Sequence, residues 1–167
     1  MGVLLSAVFF FAWPVSWAED PTSSDRGLEI AKVVDKANEG FVGESSKMEM
    51  TLVDSHGASI VRELESKVQE VLSDGDKSLS TFLRPLDVKG TKMLTWTHKR
   101  DDDDQWLFMP SLKKVKRISS QNKSASFMGS EFSYEDLGSQ EVEKYSYKLL
   151  EETSAHWKLE RIPANKN

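Results

Sequence analysis

The first periodic stretch of the chain predicts a helix. Four apolar residues recur at positions i, i+3, i+4 and i+7, which is the period of one face of a helix. They are Ile30, Val33, Val34 and Ala37. Asp25 is placed to cap the first turn and Gly40 to end the last one. The pattern therefore predicts a helix over residues 25–39.

After Gly40 the hydrophobic period changes from helical to alternating. Met48, Met50 and Leu52 alternate with polar residues, and a plausible hairpin turn follows at His56-Gly57. Further segments are short, rich in aromatic and β-branched residues, and separated by Pro, Gly, Asp or Ser. They are residues 78–83, 91–98, 105–109, 114–118, 144–151 and 156–162. Such spacing predicts an antiparallel sheet.

Residues 58–73 are ambiguous. Their apolar side chains fit one face of a helix, whereas the turns on either side, His56-Gly57 and Asp74-Gly75-Asp76, are typical of hairpins. Periodicity alone favours a helix here.

The N-terminus has the form of a secretory signal peptide. Residues 1–18 carry no charge, contain an apolar run and end in Ser16-Trp17-Ala18, with small residues where a signal peptidase requires them. We expect cleavage after Ala18 and a periplasmic location. Because the usual positive residues are missing, an uncleaved anchor or a different start remains the alternative. Residues 19–167 then form a single domain.

Composition narrows the possible functions. The chain of 167 residues is 38% hydrophobic and 29% charged, which suits one globular domain, and it contains no cysteine. Disulfides, thiolate metal sites and cysteine nucleophiles are therefore excluded. The formal net charge is −5, so no nucleic-acid partner is expected and contact with an anionic membrane would require a local basic patch.

No set of residues suggests catalysis, a cofactor or a metal. His56, His98 and His156 lie in or beside predicted turns as solvated residues, and none forms a spaced ligand pair. No serine lies in Gly-x-Ser-x-Gly and no glycine-rich loop precedes a helix. The run Asp101 to Asp104 could bind calcium, but it lacks the spacing of a calcium loop and is better explained as a solvated hairpin tip. The chain is therefore predicted not to be an enzyme.

Two groups of residues are candidates for binding. The basic cluster either forms an outward polar face or meets a lipid phosphate or an acidic partner; it comprises Lys113, Lys114, Lys116 and Arg117. The predicted strands and the stretch around Phe127 are also rich in aromatic residues and methionine, which could fill an ordinary core or line an adaptable apolar cavity. The cavity candidates are Met93, Trp96, Trp106, Phe108, Phe127, Met128 and Phe132.

Three stretches carry a family resemblance. They are residues 82–91 (FLRPLDVKGT), 105–118 (QWLFMPSLKKVKRI) and 126–137 (SFMGSEFSYEDL). In this order and spacing they resemble the outer-membrane lipoprotein-sorting protein family, whose members are similar to the periplasmic lipoprotein carrier LolA. The resemblance spans roughly residues 27–162.

The resemblance implies an α+β fold: a curved antiparallel β-sheet forming a half-open barrel, with helices covering its concave face. Residues 58–73 would then be a strand, the first helix would pack across the sheet, and the stretch after Ser126 would form part of a lid. We also expect Arg117 to pair with Asp136 across the rim. Relatives generally continue through several more strands, so the chain is expected to be truncated at its C-terminus.

Two functions follow as hypotheses. The first is a non-enzymatic periplasmic carrier that holds lipoprotein acyl chains or another lipid in an apolar cavity and delivers them towards an outer-membrane receptor. The second is an accessory module with a filled core that docks on an inner-membrane transporter through the basic cluster or an open sheet edge.

Overall fold

The structure, a computed structural model, describes residues 21–164 and consists of one α-helix and eight strands. Helix α1 spans Pro21–Ala37. The strands are β1 (Gly43–Val53), β2 (Ser59–Gln69), β3 (Lys77–Arg84), β4 (Lys92–Trp96), β5 (Asp104–Met109), β6 (Lys114–Ile118), β7 (Tyr145–Glu152) and β8 (Trp157–Pro163). Three short 3-10 turns lie between β6 and β7, at Ser120–Asn122, Glu135–Leu137 and Val142–Lys144. The predicted signal peptide and its cleavage site at Ala18 lie outside the described residues.

Strands β1 to β6 form one antiparallel sheet in the order of the chain, and β7 and β8 form a separate hairpin. Strands β1 and β6 are the edges of the large sheet and do not pair with each other, so the sheet is not closed. The predicted α+β class with a mainly antiparallel sheet is confirmed.

Residues 58–73 adopt the strand that the family resemblance implies, and the helical interpretation of their periodicity is wrong. Strand β2 pairs with β1 along its whole length, from Gly43 opposite Gln69 to Val53 opposite Ser59. It also pairs with β3 on its other side. Side-chain packing across both neighbours decides the conformation of such a segment more strongly than its own periodicity.

Helix α1 differs from its prediction in its start and in its packing. It begins at Pro21, so Asp25 lies inside the helix and is not its cap. It packs against β7 and does not lie across the six-stranded sheet. A Cβ added at Gly27 would lie 2.9 Å from the backbone nitrogen of Leu149, which shows how closely the helix approaches the hairpin. Only part of the predicted apolar face is buried, because Val33 remains exposed while Ile30 is buried.

One side of the large sheet is covered by the connection between β6 and β7 (residues 119–144), which is mostly irregular and is not a set of helices. We call this connection the covering segment. Phe127, from the connection between β6 and β7, is 0% exposed and packs into the buried cluster of the sheet. That cluster contains Leu64, Phe82, Val88, Met93, Leu107, Ile118 and Phe127. Among residues 21–164, the expectation that helices cover this face is therefore wrong. No helix in these residues is long and apolar enough to cross a membrane.

Candidate functional site

The strand register defines two faces of the large sheet. Phe82 lies opposite Leu64, and Met93 lies opposite Leu107, so their side chains project to the same side. We call this side, which Phe127 covers, the core face, and we call the opposite side the outer face. Along β5, Leu107 faces the core, whereas Trp106 and Phe108 alternate with it and face the opposite side.

The seven predicted cavity residues do not line one surface. Met93 and Phe127 are buried in the core, and Met128 packs against them. Phe132 is 52% exposed in the covering segment. The other three residues lie on the outer face, with Leu94 opposite Trp106 and Lys92 opposite Phe108. These three are Trp96, Trp106 and Phe108. A single cavity cannot be lined by both groups, and whether any of the seven binds lipid stays a prediction.

An apolar strip of the core face on β1 and β2 is only partly covered. Met48 lies opposite Leu64, and Leu52 lies opposite Ile60, so the strip continues directly from the buried cluster. Met48 is 45% exposed and Ile60 is 57% exposed, whereas Met50 already contacts the cluster. We call these four residues, Met48, Met50, Leu52 and Ile60, the open strip. The sequence alone does not place them in a site, although the alternation of Met48, Met50 and Leu52 with polar residues indicates a strand with one apolar face.

Arg62, which lies in β2 opposite Met50, links the covering segment to the sheet beside the open strip. Its Nη1 donates a hydrogen bond of 2.6 Å to the carbonyl oxygen of Met128, and its guanidinium lies 6.0 Å from the centre of the Phe82 ring. The buried Nε of Arg62 has no hydrogen-bond partner among the described residues. Met128 and Gly129 both have positive φ angles, 52° and 75°, so the covering segment turns sharply at this contact.

The basic cluster is divided between different surfaces. Lys113 lies in the turn between β5 and β6, and Lys116 and Arg117 project from opposite sides of β6. Lys114 lies on the same side as Lys116, because the two are separated by one residue of the strand. A headgroup-binding or partner-binding role of this cluster stays a prediction.

The expected pairing of Arg117 with Asp136 is wrong. Arg117 forms an ion pair with Asp104 at the start of β5. The Asp136 carboxylate instead accepts hydrogen bonds of 2.7 Å from the backbone nitrogen and the hydroxyl of Ser133, and these bonds lower its pKa. The partner of Arg117 depends on the pairing of β5 with β6, and the partner of Asp136 lies three residues away in the same segment.

The prediction that His98 is a solvated turn residue is wrong, because its side chain joins two turns of the sheet. Its Nδ1 lies 2.7 Å from the Asp74 carboxylate and its Nε2 lies 3.4 Å from the Asp104 carboxylate. The hydrogen bond to Asp74 is the main cause that raises the pKa of His98 above its ordinary value. Hydrogen bonds from the backbone of Lys99 and from His98 lower the pKa of Asp74 to about 2. His56 and His156 are exposed, as predicted.

The run of four aspartates is only partly solvated. Asp101 and Asp102 are exposed, as a hairpin tip should be. Asp103 forms an ion pair with Lys144 and lines a polar cleft of about 210 Å³ together with Lys123 and Glu135. Within residues 21–164, no group of three or more histidines and carboxylates is arranged to hold a metal ion.

The described chain is thus an α+β domain with an open antiparallel sheet and an apolar face closed in part by its own loop. Residues 74–167 match a protein family described as "uncharacterized protein", which covers more than half of the chain. The chain belongs to this family. Among curated proteins, none matches the chain.

Two solved structures are similar to the chain. One is described as an outer membrane lipoprotein-sorting protein domain from Vibrio parahaemolyticus, with 46% identity and a TM-score of 0.80 over 86% of this chain. The other is a DUF1329 family protein from Desulfovibrio piger, with 30% identity and a TM-score of 0.77 over 85% of this chain. The resemblance to lipoprotein-sorting proteins is confirmed. The chain spans 62% of each of these two proteins, and neither is described as an enzyme.

Proposed function

We propose that the chain is a non-enzymatic periplasmic carrier that binds the acyl chains of a lipoprotein, or another lipid, on the core face of its sheet. The observation that carries the proposal is the open strip, an apolar surface that is continuous with the core and on which Met48 and Ile60 remain exposed. The lipoprotein-sorting domain to which the chain is similar supports the same role. An apolar surface in this position would gain free energy by binding hydrocarbon, at about 0.8 kcal/mol for each methylene group that it buries.

The covering segment is the part that would adapt to the lipid. Met128 is unbranched and packs at the border between the closed core and the open strip, where a flexible thioether can follow a varied apolar shape. Arg62 holds the same border through the carbonyl of Met128. We therefore propose that a bound acyl chain lies along the open strip beside Met128, with Phe132 available at the exposed side of the segment.

The experiment is lipid binding by the protein purified from periplasm. Native mass spectrometry with solvent extraction identifies a lipid that accompanies the protein, and a fluorescent fatty acid measures its affinity. The double substitution Met48→Gln and Ile60→Gln should weaken binding of the fatty acid by about tenfold, because it removes apolar contact worth on the order of 1.5 kcal/mol.

The matched control is the pair Val53→Gln and Val61→Gln in the same hairpin. These valines are 66% and 45% exposed, similar to Met48 and Ile60, but their side chains project from the outer face. The control should bind the fatty acid as the wild type does. The carrier proposal fails if no lipid copurifies and no fatty acid binds, or if both pairs weaken binding equally.

One observation favours the second function, an accessory module that docks on an inner-membrane transporter. Phe127 is completely buried against the core face, so part of this face is closed by the chain itself. Recovery of a transporter from envelope extracts by a protein that carries no lipid would support this function over the carrier. The basic cluster or the unpaired edge of β1 would be the docking surface.

A further inference from the structure

Strands β1 to β6 follow one another in the large sheet, so the turns between them lie alternately at its two ends. The turns that follow β1, β3 and β5 lie at one end, and those that follow β2 and β4 lie at the other, because each antiparallel strand reverses the direction of the chain. The two ends carry opposite charge. The end formed after β2 and β4 is acidic, because seven carboxylates outnumber Lys99 and Arg100 there. The carboxylates are those of Glu70, Asp74, Asp76, Asp101, Asp102, Asp103 and Asp104.

The opposite end, which we call the basic end, combines exposed leucines with lysines. Leu86, in the turn after β3, is 86% exposed, and Leu112, in the turn after β5, is 57% exposed. Exposed lysines lie in the same two turns and at the first positions of the strands that follow them. They are Lys89, Lys92, Lys113 and Lys114. This end is therefore a local cationic region on a chain whose formal net charge is −5.

The two turns are direct neighbours in space. Strands β4 and β5 pair from Lys92 opposite Phe108, which is two residues before Pro110. A Cβ added at Gly90 would lie 3.3 Å from Cγ of Pro110, so the turn after β3 lies against the ring of Pro110. The exposed leucines and the lysines thus belong to one continuous end of the sheet.

Carboxylates offset little of this positive charge. Asp87 is exposed within the turn after β3. Asp54, in the turn after β1, uses its Oδ1 to accept hydrogen bonds from the backbone nitrogens of His56 and Ala58. The turns themselves hold two lysines and two aspartates, and the excess of positive charge comes from Lys92 and Lys114 at the first positions of β4 and β6.

We propose that the basic end docks on the surface of an anionic lipid bilayer. Lysines near such a surface are attracted by its negative potential, and exposed leucines can enter the boundary between headgroups and acyl chains. The acidic turns at the far end would orient the molecule with its basic end towards the bilayer. A second copy of the chain is disfavoured as the occupant, because two basic ends would repel each other. The proposal does not depend on whether the open strip binds a lipid.

The test is cosedimentation of the purified full chain with vesicles of phosphatidylcholine alone and with vesicles that also contain phosphatidylglycerol. The wild type should bind only the vesicles with phosphatidylglycerol, and less at high salt. The double substitution Lys89→Gln and Lys113→Gln should reduce the partition coefficient on the order of tenfold or more, since each lysine near the surface contributes about fivefold. Leu86→Ser with Leu112→Ser should reduce the binding that persists at high salt.

The matched control is Asp101→Asn with Asp102→Asn, two exposed residues of the opposite end. Because all variants keep the same N-terminus, any contribution of the first residues cancels in the comparison. The control should bind at least as well as the wild type. The proposal is overturned if the wild type ignores phosphatidylglycerol, or if the lysine pair binds as the wild type does. Self-association of the wild type in sedimentation velocity that the leucine pair abolishes, without vesicle binding, would assign this end to a second copy instead.

Discussion

Phe127 joins the covering segment to the large sheet. It comes from an irregular segment, yet its side chain is completely buried and its ring lies 5.7 Å from that of Phe82 and 5.6 Å from that of Tyr134. The backbone nitrogen of Phe127 also donates a hydrogen bond of 2.6 Å to the carbonyl oxygen of Phe132. Phe127 therefore holds the segment to the sheet together with the hydrogen bond from Arg62 to the carbonyl oxygen of Met128.

Replacing Phe127 with alanine should destabilise the protein by about 3 to 5 kcal/mol, because a buried aromatic ring is lost and a cavity remains. Urea denaturation followed by circular dichroism measures the change. Phe132→Ala, in the same segment, is the control and should cost less than about 1 kcal/mol because Phe132 is half exposed. Equal losses for the two variants would mean that Phe127 does not anchor the segment.

At the scale of elements, α1 belongs with the β7–β8 hairpin and not with the large sheet. Gly27, Ile30 and Ala31 are buried on the side of the helix that meets the hairpin. Arg26 adds an ion pair of 2.8 Å to Glu152 in β7. The helix and hairpin therefore form a small unit, which meets the acidic end of the sheet through the ion pair between Lys144 and Asp103.

Gly27→Ala tests the close approach of the helix to β7. Alanine favours a helix over glycine by about 1 kcal/mol, so an uncrowded site would gain stability. Here the new Cβ would meet backbone atoms of Lys148 and Leu149 at 2.9 to 3.0 Å, and the backbone can move away only by separating the two elements. We expect a net loss of stability in urea denaturation, with faster hydrogen exchange in α1 and β7.

Gly43→Ala is the control for this substitution, because its Cβ would lie 3.4 Å from the nearest atom, the carbonyl oxygen of Val68. It should change hydrogen exchange in α1 little. An increase in stability for Gly27→Ala would show that the helix and the hairpin can separate without cost.

At the scale of the whole molecule, charge is segregated and the acidic end contains a cluster that responds to pH. His98, after β4, connects the turn before β3 with the start of β5 through Asp74 and Asp104. The pKa of His98 is raised, mainly by its hydrogen bond to Asp74, so protonation of His98 stabilises the fold. This contribution is complete below the unfolded pKa of about 6.5 and is lost as the pH rises through the higher folded pKa.

The Asp74 carboxylate sets the lower limit of the same effect. Its folded pKa of about 2 lies below the ordinary value of 3.8, so its contribution is present above 3.8 and is lost as the pH falls towards 2. The wild type should therefore exceed His98→Gln in stability most clearly between about pH 4 and 6, and the difference should shrink in alkaline solution.

Urea midpoints measured across this range test the prediction. His56→Gln, at an exposed hairpin tip, is the control and should show no such pH-dependent difference. A constant difference between wild type and His98→Gln at all pH values would contradict the role of the His98 charge.

Local patterns determined where most elements of this protein lie. Turn residues and alternating apolar positions located the strands, because a strand that is buried on one face must alternate and a reversal of the chain needs particular backbone angles. Gly57 and Gly90, with φ angles of 83° and 80°, are such positions in the turns after β1 and β3. Composition and missing motifs likewise led to the prediction that the chain is not an enzyme.

Only the tertiary structure decided what those elements contact. Residues 58–73 became a strand because two neighbouring strands pair with them, which periodicity cannot show. The aromatic residues predicted to share a cavity are divided, with Phe127 in the core and Trp106 on the outer face. Arg117 pairs with Asp104 because β5 and β6 lie side by side. Burial and pairing of this kind depend on contacts between residues that are distant in the chain, whereas period and turn type depend on neighbours.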